Sequence, residues 1–312
     1  MRNDIIVGTR SSKLALWQAD YVIRRLREQY PGIQVERRLM TTKGDKILDA
    51  PLAKIGGKGL FTKELEMEML AGGIDIAVHS LKDMPTEVPE GLVITAITKR
   101  FDPGDAVVSP QYRTLAALPP GARVGTSSLR RRAQLLAARP DLTILDLRGN
   151  VNTRLKKLDA GEYDAIILAS AGLKRLGFAD RITDVLPAAM CLPAVGQGAL
   201  AIETRADDAA LRASLAFLQD EDTVRCARAE RSFLRRVEGG CQVPVGVYAS
   251  PEEAGLRVEA VIASLDGRRL YRDHLSGAWA DAEALGKELA DKLLAAGGLA
   301  IMHELGLLLD RK

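Results

Sequence analysis

The sequence predicts an α/β protein with two doubly wound domains and a small α+β domain that contains a three-stranded antiparallel sheet. Strand segments alternate with helical segments through most of the chain, which is typical of mostly parallel sheets covered by helices. The opening phrase DIIVGTRSSKLALWQA is echoed by ARVGTSSLRRRAQLLA at residues 122–137, so the two larger domains are expected to be similar modules. From about residue 220 the pattern changes to short strands joined by turns.

In the first module a short apolar strand at residues 5–7 leads into a helix that Pro31 and Gly32 end. The spacing of apolar residues then predicts strands at 33–39 and 74–80, with a helix at 60–70 between them. Strands that alternate with helices in this way lie parallel in one sheet.

The second module repeats this order. Its strands are predicted at residues 122–126, 142–147 and 164–170, and its helices near 128–138 and 151–159. The segment 192–203 is interpreted as a strand that crosses back to the first module.

The pattern in the last part of the chain predicts a first helix, which ends near residue 240, and then three strands and a closing helix. The strands are expected at 245–250, 256–264 and 268–276, and the helix at 281–298. The expected domains are therefore 1–98 with 194–218 for the first α/β domain, 103–193 for the second, and 219–312 for the C-terminal α+β domain.

Composition argues against several classes of protein. Among 312 residues, 44 Lys and Arg face 41 Asp and Glu, and aromatic residues make up 4%, so a nucleic-acid-binding protein is not indicated. No apolar run approaches the roughly 18 residues of a membrane span, and the N-terminus resembles no secretory signal. A cytoplasmic protein is expected. Three cysteines without CxxC spacing, beside three histidines, support neither a disulfide framework nor a zinc site.

Cationic and hydroxyl side chains follow five of the predicted strands, at residues 9–12, 79–83, 126–131, 148–154 and 170–175. The carboxyl ends of strands in an open sheet form a ligand crevice, where helix N-termini favour anions. The arginines at these positions provide paired donors that suit carboxylate or phosphate. We therefore expect a ligand with several negative charges, a long polycarboxylate or polyphosphate.

Some of these residues have an ordinary structural interpretation. A serine at such a position often caps the following helix. The run Arg130, Arg131 and Arg132 is usually a solvated helix face and less often a nucleic-acid contact. Because successive helical residues lie about 100° apart, the three cannot all face one crevice, and Arg132 is expected to point elsewhere.

One acid, Asp83, interrupts this basic pattern in the segment HSLKDMPT. It can pair with Lys82 or a nearby arginine in a purely structural role. Alternatively, a carboxylate among cations stays ionised and stabilises a cation on the substrate, or relays a proton to a leaving group.

The segment at residues 50–64, APLAKIGGKGLFTKE, is expected to be a mobile lid. Lys54 and Lys58 would reach anions when it closes. Phe61 either stacks on a planar ring of the ligand or packs in the core.

Five motifs occur in one order across nearly the whole chain: HSLKDMPT, VGTSSLRRRAQL, LRGNVNTRL, LPAVGQGALAIE and ERSFLRRVEGGCQVPVG. Together they closely resemble the porphobilinogen deaminase family, also called the hydroxymethylbilane synthases. The resemblance implies that Cys241 holds a dipyrromethane cofactor through a thioether bond. A thiol in a Gly-Gly loop near cations is a competent nucleophile, whereas Cys191 and Cys226 are expected to pack in the interior.

The resemblance implies a transferase of tetrapyrrole (haem) biosynthesis, which joins four porphobilinogen molecules head to tail into hydroxymethylbilane and releases ammonia. Each pyrrole ring brings two carboxylates. The residues that the resemblance assigns to cofactor and substrate binding are Arg10, Ser12, Ser80, Lys82, Thr126, Ser128, Arg130, Arg131, Arg148, Arg154 and Arg175, with Lys54, Lys58 and Phe61 added from the lid. Asp83 would be the catalytic acid: it would assist ammonia loss, stabilise the azafulvene cation and help remove the final proton.

The resemblance further implies a monomer that binds neither membrane nor nucleic acid and passes its product to uroporphyrinogen-III synthase. We expect the two larger domains to have a periplasmic-binding-protein-like fold, so a solute-binding protein is the alternative function. The expected lack of a secretory signal, the third domain with its cysteine, and the acid among the cations argue against that alternative.

Overall fold

The computed structural model describes residues 4–46, 59–237 and 243–306. The strands are β1 (Asp4–Arg10), β2 (Gln34–Met40), β3 (Ile76–Ser80), β4 (Leu92–Ile97), β5 (Asp105–Val108), β6 (Arg123–Gly125), β7 (Thr143–Leu145), β8 (Ala165–Ala169), β9 (Asp184–Leu186), β10 (Leu200–Arg205), β11 (Val245–Glu252), β12 (Gly255–Ala263) and β13 (Leu270–Gly277). The α-helices are α1 (Lys13–Gln29), α2 (Lys43–Lys46), α3 (Lys63–Leu70), α4 (Leu129–Ala138), α5 (Val151–Asp159), α6 (Ser170–Arg175), α7 (Ala209–Leu215), α8 (Glu221–Arg236), α9 (Ala282–Leu293) and α10 (Leu299–Glu304).

The first sheet has the strand order β2-β1-β3-β10-β4. Strand β1 runs parallel to β2 and β3, and β10 runs antiparallel to β3 and β4. One side of the sheet buries Val22 and Leu26 of α1, and another apolar cluster joins Leu65 and Met69 of α3 to Ala77 of β3. The sheet therefore has helices on both faces, as the sequence predicts.

The second sheet has the order β7-β6-β8-β5-β9, in which β5 is the antiparallel strand. It repeats the plan of the first sheet, as the repeated opening phrase predicts. Residues 98–104, the first crossing, join β4 to β5. Residues 187–199, the second crossing, lead from β9 back to β10, which confirms the expected return of the chain to the first module. The exact domain boundaries remain predictions.

The third unit packs α8 and α9 against the antiparallel sheet β11-β12-β13. Its core includes Phe233 of α8, Val247, Ile262 and Leu289. The predicted closing helix is interrupted where Gly297 adopts a φ of 129°, and α10 follows. No helix in the described part of the chain is long and apolar enough to cross a membrane.

A buried carboxylate attaches both crossings to the third unit. Glu230 of α8 accepts hydrogen bonds at 2.7 Å from the guanidinium of Arg100 in the first crossing and from the backbone N–H of Gly196 in the second. It also accepts one at 2.9 Å from the N–H of Ala249 in β11. Although burial opposes the charged form, the pairing with Glu230 raises the pKa of Arg100.

Replacement of Glu230 should therefore be strongly destabilising. We expect Glu230→Ala to lower the free energy of unfolding by about 3–5 kcal/mol, because it leaves the Arg100 charge buried without its counter-ion. Chemical denaturation measures this quantity. The control is Glu283→Ala, which removes an exposed partner of Arg235 at 3.3 Å and should cost less than about 1 kcal/mol. Equal costs for the two variants would contradict the role given to Glu230.

Candidate active site

A cavity of about 460 Å³ lies between the two large sheets, beyond the ends of β1, β3 and β8. We call it the basic cavity. Its charged lining residues among those described are Arg10, Lys82, Asp83, Arg131, Arg148, Arg154 and Arg175. Both sheets and the second crossing contribute to the wall. Six cations and one carboxylate give the wall an excess of positive charge.

The first sheet contributes residues at the ends of β1 and β3. The Ser12 hydroxyl lines the cavity and also accepts a hydrogen bond from the N–H of Ala15, so it caps α1. The Ser80 hydroxyl accepts one from Gln18 at 2.8 Å. The Arg10 guanidinium lies 4.3 Å from the centre of the Phe61 ring, a cation–π contact at the cavity wall.

The second sheet contributes cations that crowd one another. Arg154 donates to the carbonyl of Gly149 at 2.8 Å, and burial together with the like charges of Arg131 and Arg148 lowers its pKa to about 10. Burial likewise lowers the pKa of Arg175 to about 10, while its guanidinium donates to the Gly198 carbonyl at 2.7 Å. A polyanion in the cavity would relieve this repulsion.

The three arginines at the start of α4 point in different directions because the helix turns. Arg131 lines the cavity and donates to the Asp105 carboxylate at 2.7 Å. Arg130 is buried behind the wall, where it donates to Asp105 and to the Leu192 carbonyl, both at 2.6 Å. Arg132 is exposed, in line with the prediction that it points elsewhere. Burial raises the pKa of Asp105, but the two arginines outweigh it and hold that pKa far below its usual value.

Three of the expected ligand-binding residues therefore do not line the cavity. Arg130 is engaged by Asp105, a residue of a strand, β5, that the sequence did not predict. Ser128 caps α4 by accepting from the N–H of Arg131, and Thr126 accepts from the N–H of Ser128. Their positions give no support to a direct contact with ligand carboxylates.

Lys82 and Asp83 lie on a single 3₁₀ turn after β3. Burial is the main reason that the pKa of Lys82 falls to about 8; Arg131 lowers it further, and Asp83 opposes the shift. Within residues 4–46, 59–237 and 243–306, no hydrogen bond or ion pair engages the Asp83 carboxylate. Asp83 thus faces the cavity, where a bound molecule can reach it, and the structural pairing considered from the sequence is not formed.

Other residues of the wall were not expected from the sequence. Gln197, Asn150 and Thr153 line the cavity, and Asp105 lies directly behind it. Asn150 caps α5, a role that the polar residue before the predicted helix at 151–159 could have indicated. The remaining predicted residues, Lys54, Lys58 and Cys241, lie outside the described residues.

The other two cysteines are buried, as expected. Burial raises the pKa of the Cys191 thiol and of the Cys226 thiol to about 12. Neither is a reactive thiolate near neutral pH. The described residues contain no group of three or more His, Cys, Asp or Glu side chains that could hold a metal ion.

Two family models match the chain. One, described as porphobilinogen deaminase, dipyromethane cofactor binding domain, covers residues 5–213, and the other, the porphobilinogen deaminase C-terminal domain, covers residues 224–295. The chain belongs to the porphobilinogen deaminase family. The resemblance seen in the five sequence motifs is thereby confirmed.

Similar curated proteins extend over nearly the full length. The porphobilinogen deaminase of Trichlorobacter lovleyi is 55% identical over 298 residues, which are 96% of this chain and 95% of that protein. That of Geobacillus kaustophilus is 54% identical over 97% of both chains. Among solved structures, the methionine-binding protein MetQ is 16% identical with a TM-score of 0.46, over 73% of this chain and 95% of that chain.

The basic cavity fits the dipyrromethane cofactor of the porphobilinogen deaminase family. A dipyrromethane has two rings, each with an acetate and a propionate, and therefore four carboxylates. The described part of the wall provides six cations. For two of them, Arg154 and Lys82, burial and the repulsion by neighbouring cations disfavour the charged form. Such donors form strong, charge-assisted hydrogen bonds with carboxylates.

Proposed function

We propose that the chain condenses four porphobilinogen molecules head to tail into hydroxymethylbilane, with release of ammonia, as a step of tetrapyrrole biosynthesis. The observation that carries this proposal is the basic cavity, in which Asp83, the one carboxylate among the described lining residues, faces a wall of cations. The family membership makes porphobilinogen the expected substrate. Each added ring brings two carboxylates, which suits a cavity with cations on both sides.

The cations would hold and orient the carboxylates. Arg10 and Lys82 lie on the side of the first sheet, and Arg148, Arg154 and Arg175 lie on the side of the second. A chain of rings can therefore be bound along both edges. Each charge-assisted hydrogen bond contributes on the order of 1.5–3 kcal/mol. Dipyrromethane supplies, when bound, the pyrrole carbon to which the first substrate ring is joined.

Asp83 would act on the reacting end of the substrate. Its carboxylate accepts a hydrogen bond from the aminomethyl group, which is protonated, and stabilises the positive charge that develops on the substrate as ammonia leaves. After the carbon–carbon bond has formed, the same carboxylate takes up the proton that the attacked pyrrole carbon loses. Ammonia thus departs with the electron pair of the broken C–N bond, and one proton is released.

Cys241 is the proposed attachment point of the cofactor, through a thioether bond. We further propose a cytoplasmic monomer that binds neither nucleic acid nor membrane and passes hydroxymethylbilane to uroporphyrinogen-III synthase. The balanced charge of 44 Lys and Arg against 41 Asp and Glu supports a small-molecule enzyme over a nucleic-acid-binding protein.

The intact mass of the purified protein tests the attachment. We expect the native protein to be heavier than its sequence by one dipyrromethane, and Cys241→Ala to have the bare mass, because the thioether needs this sulfur. Cys226→Ala, which alters a buried thiol, should keep the adduct. A bare mass for the native protein, or an adduct that survives in Cys241→Ala, would exclude this attachment.

The role of Asp83 predicts a catalytic defect without loss of cofactor. Asp83→Asn should retain the adduct mass and lower kcat for porphobilinogen consumption at least about 10²-fold, the usual contribution of a positioned acid–base group. Glu87→Gln makes the same chemical change at an exposed position of the same loop and should leave kcat unchanged. If the two variants turn over at similar rates, Asp83 is not the catalytic group.

A further inference from the structure

Gln197 lies in the second crossing and is 1% exposed, at the junction of the basic cavity and the ion pairs behind it. Its side-chain amide nitrogen donates to the carbonyl of Pro103 at 2.7 Å and to the carboxylate of Asp105 at 2.9 Å. Its amide oxygen lies 3.4 Å from the Nζ atom of Lys82. One uncharged side chain of the second crossing thus contacts the first crossing, the Lys82–Asp83 turn (the catalytic turn) and the Asp105 carboxylate.

These contacts determine which way the amide points. The nitrogen faces oxygen acceptors only, since the Gly104 carbonyl is a third neighbour at 3.4 Å, and the oxygen faces an ammonium group. A flipped amide would place oxygen against oxygen and nitrogen against the Lys82 ammonium. The orientation is therefore fixed by its surroundings.

Asp105 extends the contact to the second sheet. The oxygen that accepts from Gln197 also accepts from Nε and Nη2 of Arg131, at 3.0 and 2.7 Å. A continuous chain of hydrogen bonds therefore runs from Lys82, through Gln197 and Asp105, to Arg131. It connects a cation on one side of the cavity with a cation on the other, and Asp83 is the next residue after Lys82.

We propose that Gln197 is a positioning residue, whose amide holds Lys82 and its neighbour Asp83 at a set distance from the Asp105–Arg131 pair across the cavity. The inference rests on the proposed function, because it concerns substrate carboxylates held between Lys82 and Arg131. Gln197 itself performs no proton transfer.

The amide also affects the charge of Lys82. Among the described residues, the charged groups with the largest effect on the ammonium are Asp83, Arg131, Asp105 and Arg130, and burial favours the neutral amine. An amide oxygen beside the ammonium favours the charged form. Loss of that oxygen should lower the pKa of Lys82.

The experiment compares Gln197→Leu and Gln197→Glu with the native holoprotein. For Gln197→Leu we expect a fall in kcat/KM for porphobilinogen of about tenfold or more, because Lys82, Asp105 and the Pro103 carbonyl each lose a hydrogen bond. The alkaline limb of the kcat/KM profile should move to lower pH, since a neutral Lys82 no longer binds carboxylate. In Gln197→Glu the oxygen that replaces the amide nitrogen faces the Pro103 carbonyl and the Asp105 carboxylate, so we expect it to carry a proton. The neutral acid keeps its other oxygen beside Lys82, and the limb should stay near its native position. A merely structural residue would not show this rescue by the conservative variant.

Gln134→Leu is the matched control. Gln134 is also 1% exposed, and its amide bonds the second crossing through the N–H and the carbonyl of Leu192, at 2.7 and 3.2 Å. It contacts neither Lys82 nor Asp105 in the described structure. We expect Gln134→Leu to be less stable than the native protein and to keep the alkaline limb in place.

The possible results distinguish failure of the proposed function from failure of the positioning role of Gln197. A native protein that does not consume porphobilinogen would overturn the proposed function itself. With an active native protein, an alkaline limb that stays fixed in Gln197→Leu, or that moves equally in Gln197→Glu or in Gln134→Leu, would overturn the positioning role. Failure of both Gln197 variants to fold, when Gln134→Leu folds, would show a structural role instead. Adduct masses measured on each variant separate loss of cofactor from loss of positioning.

Discussion

The structure depends on like charges that are brought together in one cavity, where burial disfavours their charged forms. Six cationic side chains of the described residues line one space of about 460 Å³, and burial lowers the pKa of Lys82 to about 8 and that of Arg154 to about 10. Such a cluster is unfavourable until an anion enters. The fold must therefore hold these groups in place against their repulsion. A bound polycarboxylate relieves that repulsion, and this relief contributes to its affinity.

Buried carboxylates and amides provide that support from behind the wall. Asp105 binds two arginines of α4, Arg130 behind the wall and Arg131 in it. Glu230 attaches both crossings to α8, and Gln197 connects the catalytic turn to Asp105. Because Glu230 and Gln197 bond to the crossings and Asp105 bonds to Gln197, the relative position of the two cationic walls depends on the same few residues.

The sequence predicts the cationic cavity lining because most of these residues directly follow a strand in the sequence. Parallel strands end at one edge, so a cation after each strand is brought there whatever the details of packing, as Arg154 and Arg175 show. The supporting groups are harder to predict. Asp105, Gln197 and Glu230 act through partners distant in the sequence, and each resembles an ordinary polar residue.

The position of Arg130 is likewise hard to predict, because it depends on a partner distant in the sequence. Helical spacing indicates that the arginines of α4 must diverge, but the direction of Arg130 is set by Asp105 on β5, a short strand that carries no clear alternation of its own. Cys241, Lys54 and Lys58 remain predictions from the family resemblance.

Comparison of Arg154→Ala with Arg132→Ala tests the central claim most directly. Both variants remove one arginine, but Arg154 lines the basic cavity and Arg132 lies exposed on α4. If the crowded cations bind substrate carboxylates, kcat/KM for porphobilinogen should fall at least about tenfold in Arg154→Ala and stay within about twofold of native in Arg132→Ala. An unchanged kcat/KM in Arg154→Ala, or an equal loss in both, would contradict the account.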